Sequence, residues 1–222
     1  MKILVVSATL FELVPFLECI KQPKDAKRFV HNDHEIELLI TGVGITATAY
    51  AMGQKLAIGN YDLALNIGLG GVFDRSLSLG QVVNVVSDFN AEEGAEDGEN
   101  FIPISDLSLR DKNEFPFKDG LLKAIYPTRI KDFLVYSEVN GITVNKVHGK
   151  ESSILEVQSM FNPQIESMEG AAFFYSCLSS KLACIQLRAV SNYVERRDRD
   201  KWEVELALNN LAQEIAVFLE KI

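Results

Sequence analysis

Four short segments of this 222-residue sequence carry side chains that could do chemistry. The first, Ser7-Ala8-Thr9-Leu10-Phe11-Glu12, follows an apolar run. Glu12 can act there as a carboxylate general base, or it can be only the capping-box partner of Thr9. The second, Gly68-Leu69-Gly70-Gly71, lacks the spacing and the lysine of a phosphate-binding loop. Gly68 either makes a tight turn or lets the chain approach a ligand closely. The third, Glu166-Ser167-Met168-Glu169-Gly170, opens a helical pattern. Its acids can simply complement the helix dipole. In the fourth, Ser191-Asn192, the amide can donate and accept at once, or serve as a turn residue. None of the four supports a function alone.

All four sit where predicted strands end, which is where open α/β sheets bind ligands. Lys2–Ser7, Asp62–Ile67 and Ala183–Ser191 are apolar runs without polar alternation and read as strands covered on both faces. Thr9 caps a following helix. Arg28–His31 and Glu35–Thr41 flank Asn32-Asp33 and read as a hairpin. Gly42-Val43-Gly44 leads into a helix to about Ala57. Gln81–Phe89, Lys131–Ser137, Ile142–Val147 and Ile165–Glu166 read as strands, and Lys150–Met160 and Met168–Ser179 as helices. From Asp200 the periodicity is helical, with Trp202, Leu206, Leu208, Leu211, Ile215 and Leu219 on one face. Residues 91–119 are acidic and aperiodic and read as a loop or lid-like insertion. Strands alternating with helices predict one α/β domain over residues 1–222, a central mixed β-sheet flanked by helices.

Composition narrows the function classes. Hydrophobic residues make up 47% and charged residues 24%, enough to bury a core without metals or disulfides. The net charge of -9 disfavours nucleic acid and anionic membranes as partners. Cys19, Cys177 and Cys184 are odd in number and set in apolar context, so they are expected to be buried free thiols of a reducing compartment. Neither they nor His31, His34 and His148 have the spacing of a metal site. Glu12 interrupts the N-terminal apolar run, and no segment is long enough to span a bilayer. A cytoplasmic protein is expected.

Taken together and in order, MKILVVSATLFE, NIGLGGVFDRSLSLGQVV, IESMEGAAFFYSCL and LRAVSN resemble the methylthioadenosine/S-adenosylhomocysteine nucleosidases and their relatives in the nucleoside phosphorylase superfamily. The resemblance spans nearly the whole chain apart from residues 91–119. It departs from the family pattern in three places. Gln81 replaces an Asp, Ser167 enlarges a Glu-Met-Glu motif, and Asn192 stands where adenine-releasing relatives have Asp. These departures look most like the branch that releases hypoxanthine from a benzoate-bearing nucleoside on an alternative route to menaquinone.

The resemblance implies hydrolysis of an N-glycosidic bond, with Glu12 activating water, Glu169 holding ribose hydroxyls and Met168 packing under the sugar or in the core. Asn192 would stabilise the departing purine. It cannot be an acid, but it can donate to N7 or O6 of a 6-oxopurine, although Asn also pairs with adenine edges. Val147 or His148 would cover the purine, unless His148 is a surface loop residue. One of Arg196, Arg197 and Arg199 would meet the benzoate carboxylate, unless the run is a solvated face. The expected partners are a small-molecule nucleoside and further copies of the chain, as a dimer or larger homo-oligomer. No cofactor or metal is implied. The rival readings are a methylthioadenosine/S-adenosylhomocysteine nucleosidase, a phosphorylase and a non-catalytic storage or binding protein. Glu12, in a segment without Arg, would repel phosphate and argues against the phosphorylase.

Overall fold

The computed structural model describes residues 1–222 as a mixed sheet with helices on both faces. The elements in chain order are β1 Lys2–Ser7, α1 Leu10–Cys19, β2 Arg28–His31, β3 His34–Ile40, α2 Ile45–Ile58, β4 Leu63–Val72, β5 Val82–Asp88, β6 Gly94–Asp97 and β7 Asn100–Pro103. Then come β8 Leu122–Lys123, α3 Thr128–Lys131, β9 Ser137–Thr143, α4 Glu151–Phe161, β10 Ile165–Ser167, α5 Gly170–Ser179, β11 Cys184–Tyr193 and α6 Val204–Lys221.

The main sheet runs β10-β9-β5-β11-β4-β1-β3-β2, with β8 on β5. The strands β3, β1, β4 and β11 pair in parallel, while β5 is antiparallel to β11. β4 is ten residues long, and its far end also pairs with β10, through Ile165↔Val72 and Glu166↔Gly71. That extra pairing closes β4, β10, β9, β5 and β11 into a ring. Residues at the end of β4 are thereby brought against β10 and β11 at once.

Strand periodicity explains the two main cores. Ile3 and Val5 of β1 join Leu65, Ile67, Ile185 and Leu187 under α1 and α6. Leu4 and Val6 point the other way, toward Phe173, Phe174 and Cys177 of α5. Both faces of these strands are therefore covered, as their unbroken apolar runs predicted. Each fully buried Leu or Phe, such as Leu13, Phe16 or Leu219, contributes about 1.5–3 kcal/mol.

Several expectations need correction. Lys131–Ser137 is not a strand, since α3 ends at Lys131 and β9 begins only at Ser137. Ile130, Phe133 and Leu134 follow helical spacing and pack on the core under α6, so burial overrides their strand propensity. The separate strand at Ile142–Val147 is the end of β9, which stops at Thr143. Asn140-Gly141 resembles a turn but lies inside β9, which has β5 and β10 as neighbours. Gly68–Gly71 does not close a strand either; it lies within β4. Residues 91–119 are not wholly aperiodic, because β6 and β7 pair as a hairpin. Trp202 precedes α6 and ends a 3-10 turn, Arg199–Lys201. Cys19 is exposed, at the solvent-facing end of α1, whereas Cys177 and Cys184 are buried free thiols.

Candidate active site

Glu12 lies at the third position of α1, immediately beyond β1. The capping box is present: Thr9 Oγ1 accepts from Glu12 N, and Glu12 accepts from Thr9 N. The carboxylate does more than cap, however. Its Oε2 also receives the hydroxyls of Ser7 at 3.2 Å and Thr9 at 3.1 Å. Its Oε1 receives the amide of Leu69 at 3.1 Å, across from β4. A cap alone needs neither the Ser7 hydroxyl nor the long-range Leu69 amide. They fix the carboxylate at the carboxyl ends of β1 and β4.

Gly68 explains how this is possible. A Cβ on residue 68 would stand 2.8 Å from Glu12 Oε1 and 2.6 Å from Arg188 Nη1. The missing side chain makes room for Glu12 and Arg188 rather than forming a turn. Arg188, on β11, is almost fully buried. Its Nη2 donates to Asn66 Oδ1 at 2.7 Å and Gln186 Oε1 at 3.2 Å, and its Nη1 to Leu69 O at 3.3 Å. Nη1 also lies 3.5 Å from Glu169 Oε2.

Glu169 is buried at the N-cap position of α5, and its other oxygen accepts from Gly44 N at 3.1 Å. Arg188 and Glu169 thus form a buried pair, and the partly exposed Glu12 completes a row across Gly68. A buried charge is tolerated only when it is paired and hydrogen-bonded, as Arg188 and Glu169 are. Behind the row, Asp88 is fully buried. Burial pushes its carboxyl up to about 6, although Gln186, Thr143 and Arg188 pull it down. Met168 is half-buried and packs in none of the three apolar clusters, so it is free to face a ligand beside Glu169.

Asn192 sits farther along, where the pairing of β11 with β4 slips by one residue between Val190 and Asn192. Such a bulge re-aims a side chain. A carbonyl can only accept, so Nδ2 must face Tyr193 O, at 3.0 Å. Oδ1 then meets the Ser191 hydroxyl at 2.8 Å. A second N–H of the amide remains free. Gly71 opposite Asn192 again keeps the approach open, for a Cβ there would lie 3.1 Å from Nδ2.

Asn192 lines a cavity of about 100 Å³ together with Gly71, Val147, His148, Glu166 and Arg197. His148 is not a solvated loop residue. Its ring is 13% exposed and Nδ1 lies 2.6 Å from Glu166 Oε2. Arg196, Arg197 and Arg199 are exposed, and Arg197 stacks over Trp202. The hairpin β6–β7 borders a groove of about 610 Å³ that also reaches His148 and α4.

The structure therefore gathers the expected residues into two adjoining groups. Glu12, Gly68 and Glu169 form one, and Val147, His148 and Asn192 the other. Arg188 was not singled out from sequence, although a charged residue inside the apolar run Cys184–Val190 is a signal that could have found it. The donors Leu69 N and Gly44 N leave no mark on the sequence.

The family model of the Phosphorylase superfamily matches residues 2–222. The chain belongs to that superfamily. A futalosine hydrolase of Thermus thermophilus is 29% identical over 180 residues, covering 80% of this chain and 78% of that protein. One from Streptomyces coelicolor is 28% identical over 184 residues, 81% of this chain and 76% of its own. Among solved structures, the native futalosine hydrolase of Helicobacter pylori superposes with a TM-score of 0.81 at 14% identity, over 100% of this chain and 98% of that one. A 5'-methylthioadenosine/S-adenosylhomocysteine nucleosidase of the same species, with butyl-thio-DADMe-Immucillin-A, gives 0.79 at 13%, over 100% and 99%. These two likenesses establish the superfamily fold. They do not discriminate between substrates.

Proposed function

We propose that this superfamily member is a futalosine hydrolase, cleaving the N-glycosidic bond of futalosine to release hypoxanthine and dehypoxanthinyl futalosine for menaquinone synthesis. The reading rests on one observation above the others: a carboxylate held at the strand ends by four donors, Glu12, with a buried carboxylate, Glu169, held by Arg188 across Gly68. Cleavage builds positive charge on the ribose. Glu12 takes a proton from the attacking water, and Glu169 accepts ribose hydroxyls and favours the cationic sugar. Met168 packs under the ribose.

The choice of purine rests on Asn192. With Oδ1 engaged by Ser191 and one N–H by Tyr193, its free group is a donor. A 6-oxopurine offers acceptors at N7 and O6, whereas adenine offers a donor at its amino group. The curated relatives named futalosine hydrolase support the same choice. Val147 and His148 flank the base. Of the three arginines, Arg197 lines the base cavity, which leaves Arg196 or Arg199 as the partner of the benzoate.

No helix of the chain is long and apolar enough to cross a membrane. Placement in the cytoplasm and assembly into a dimer or larger homo-oligomer belong to the same proposal. Exposed Leu10, Phe11 and Val43, beside Glu12 and Gly44, offer an apolar rim for self-association.

The test is purine release from futalosine, methylthioadenosine and inosine, offered in parallel without phosphate. Hypoxanthine from futalosine alone is the expected result. Adenine from methylthioadenosine would replace the substrate reading, and no release from a folded sample would remove the hydrolase reading.

A further inference from the structure

A departing purine must carry off a proton or a full negative charge, and Asn192 has no acidic proton to give. The groups lining its cavity can be taken in turn. The Tyr193 hydroxyl is committed to Leu77 O at 3.1 Å. Glu195 is paired with Arg75 and Lys201. Arg197 lies over Trp202, and a guanidinium does not give up its proton. His148 is left. Its backbone N–H and its Nδ1 both bind Glu166, at 3.1 and 2.6 Å. Because a carboxylate only accepts, Nδ1 is the donor. Glu166 is 4% exposed, and the His148 ring is its one basic side-chain partner. Nε2, on the far side of the ring, has no protein partner.

We infer that His148, held by Glu166, is the general acid that protonates the leaving purine. The inference rests on the nucleosidase reading above. In its protonated form the imidazole carries a second proton on Nε2, and Glu166 balances the charge. The water oxygen bonds to C1′ while Glu12 takes one of its protons. The C1′–N9 bond breaks, its electron pair passes to the purine, and N7 receives the Nε2 proton. Neutral hypoxanthine and the free sugar result. Glu12 is left protonated and His148 neutral, and one proton returned through solvent restores both. Glu166 is a positioning residue that touches no reacting atom.

The experiment compares futalosine with its N7-methylated derivative, whose base is already cationic and leaves without a proton. His148→Gln should lower kcat/KM for futalosine by about 10²-fold or more. For the methylated substrate the loss should be under about fivefold. Glu166→Gln, which keeps an acceptor for the His148 amide, should show the same selectivity with a loss of about tenfold. Equal losses on both substrates, or no loss on futalosine, would overturn the assignment while leaving the nucleosidase reading intact. Wild-type protein that releases no hypoxanthine from futalosine would overturn both, and that result is visible before any variant is made.

Discussion

Around Glu12 and Glu169 every carboxylate oxygen already has a protein partner, drawn from β1, β4, β11 and the turn before α2. Around Asn192 the protein leaves one amide N–H and one imidazole nitrogen facing a small cavity, between a bulge and a loop. The contrast follows from what each end must do. In the proposed reaction, charges at the sugar end act on a developing cation and must be fixed in advance, so that no reorganisation is needed. The base end must choose among purines, and a few directional donors suffice for that. Substitutions at the two ends should therefore fail in different ways.

The largest effect should come from Glu12→Gln. It can keep the cap but loses the acceptor for the Leu69 amide and removes the base, and kcat should fall by about 10²–10⁴-fold in a purine-release assay while the fold stays intact by circular dichroism. A variant that retained wild-type turnover would strip the sugar end of its assigned role. Gly68→Ala should follow. The new methyl would meet both Glu12 and Arg188 at under 3 Å. A displacement of about 1 Å can cost about 10²-fold, so kcat should fall by that order with the fold intact by circular dichroism. Unchanged kcat would mean that the pair is less rigid than its bonding implies.

Asn192→Ala at the base end should be milder. It removes one donor and should lower kcat/KM for futalosine by about 10–10²-fold. A loss as large as that of Glu12→Gln would erase the distinction between the two ends.

The smallest effect concerns Asp88, behind the sugar end. Burial raises its carboxyl to about 6 from the ordinary 3.8. A raised value means that the protonated acid favours the fold. Its contribution is complete below about pH 4 and is lost as pH rises through about 6. Urea denaturation should show Asp88→Asn losing less stability than wild type between about pH 4 and pH 6. Parallel pH profiles would show that the group ionises in place at no cost.

The same contrast governs what could be read from sequence. Apolar runs without alternation marked β1, β4 and β11, and Thr9 with Glu12 marked the start of α1, because these signals are local. Glu12, Glu169 and Asn192 were legible as unusual chemistry at strand ends. What was hidden is what crosses between elements. The Leu69 and Gly44 amides exist as donors only once β4 and α2 are in place. The pairing of Glu166 with His148, eighteen residues earlier, depends on β10 closing the ring. Lys131–Ser137 misled because its β-like side chains serve a helical turn against α6.

The far end of β4 carries both groups on one piece of backbone: Gly68 under Glu12, Gly71 opposite Asn192. Three residues of strand span about 10 Å. The strand is a rigid gauge that sets the spacing between the two groups, and loop motion cannot alter that length.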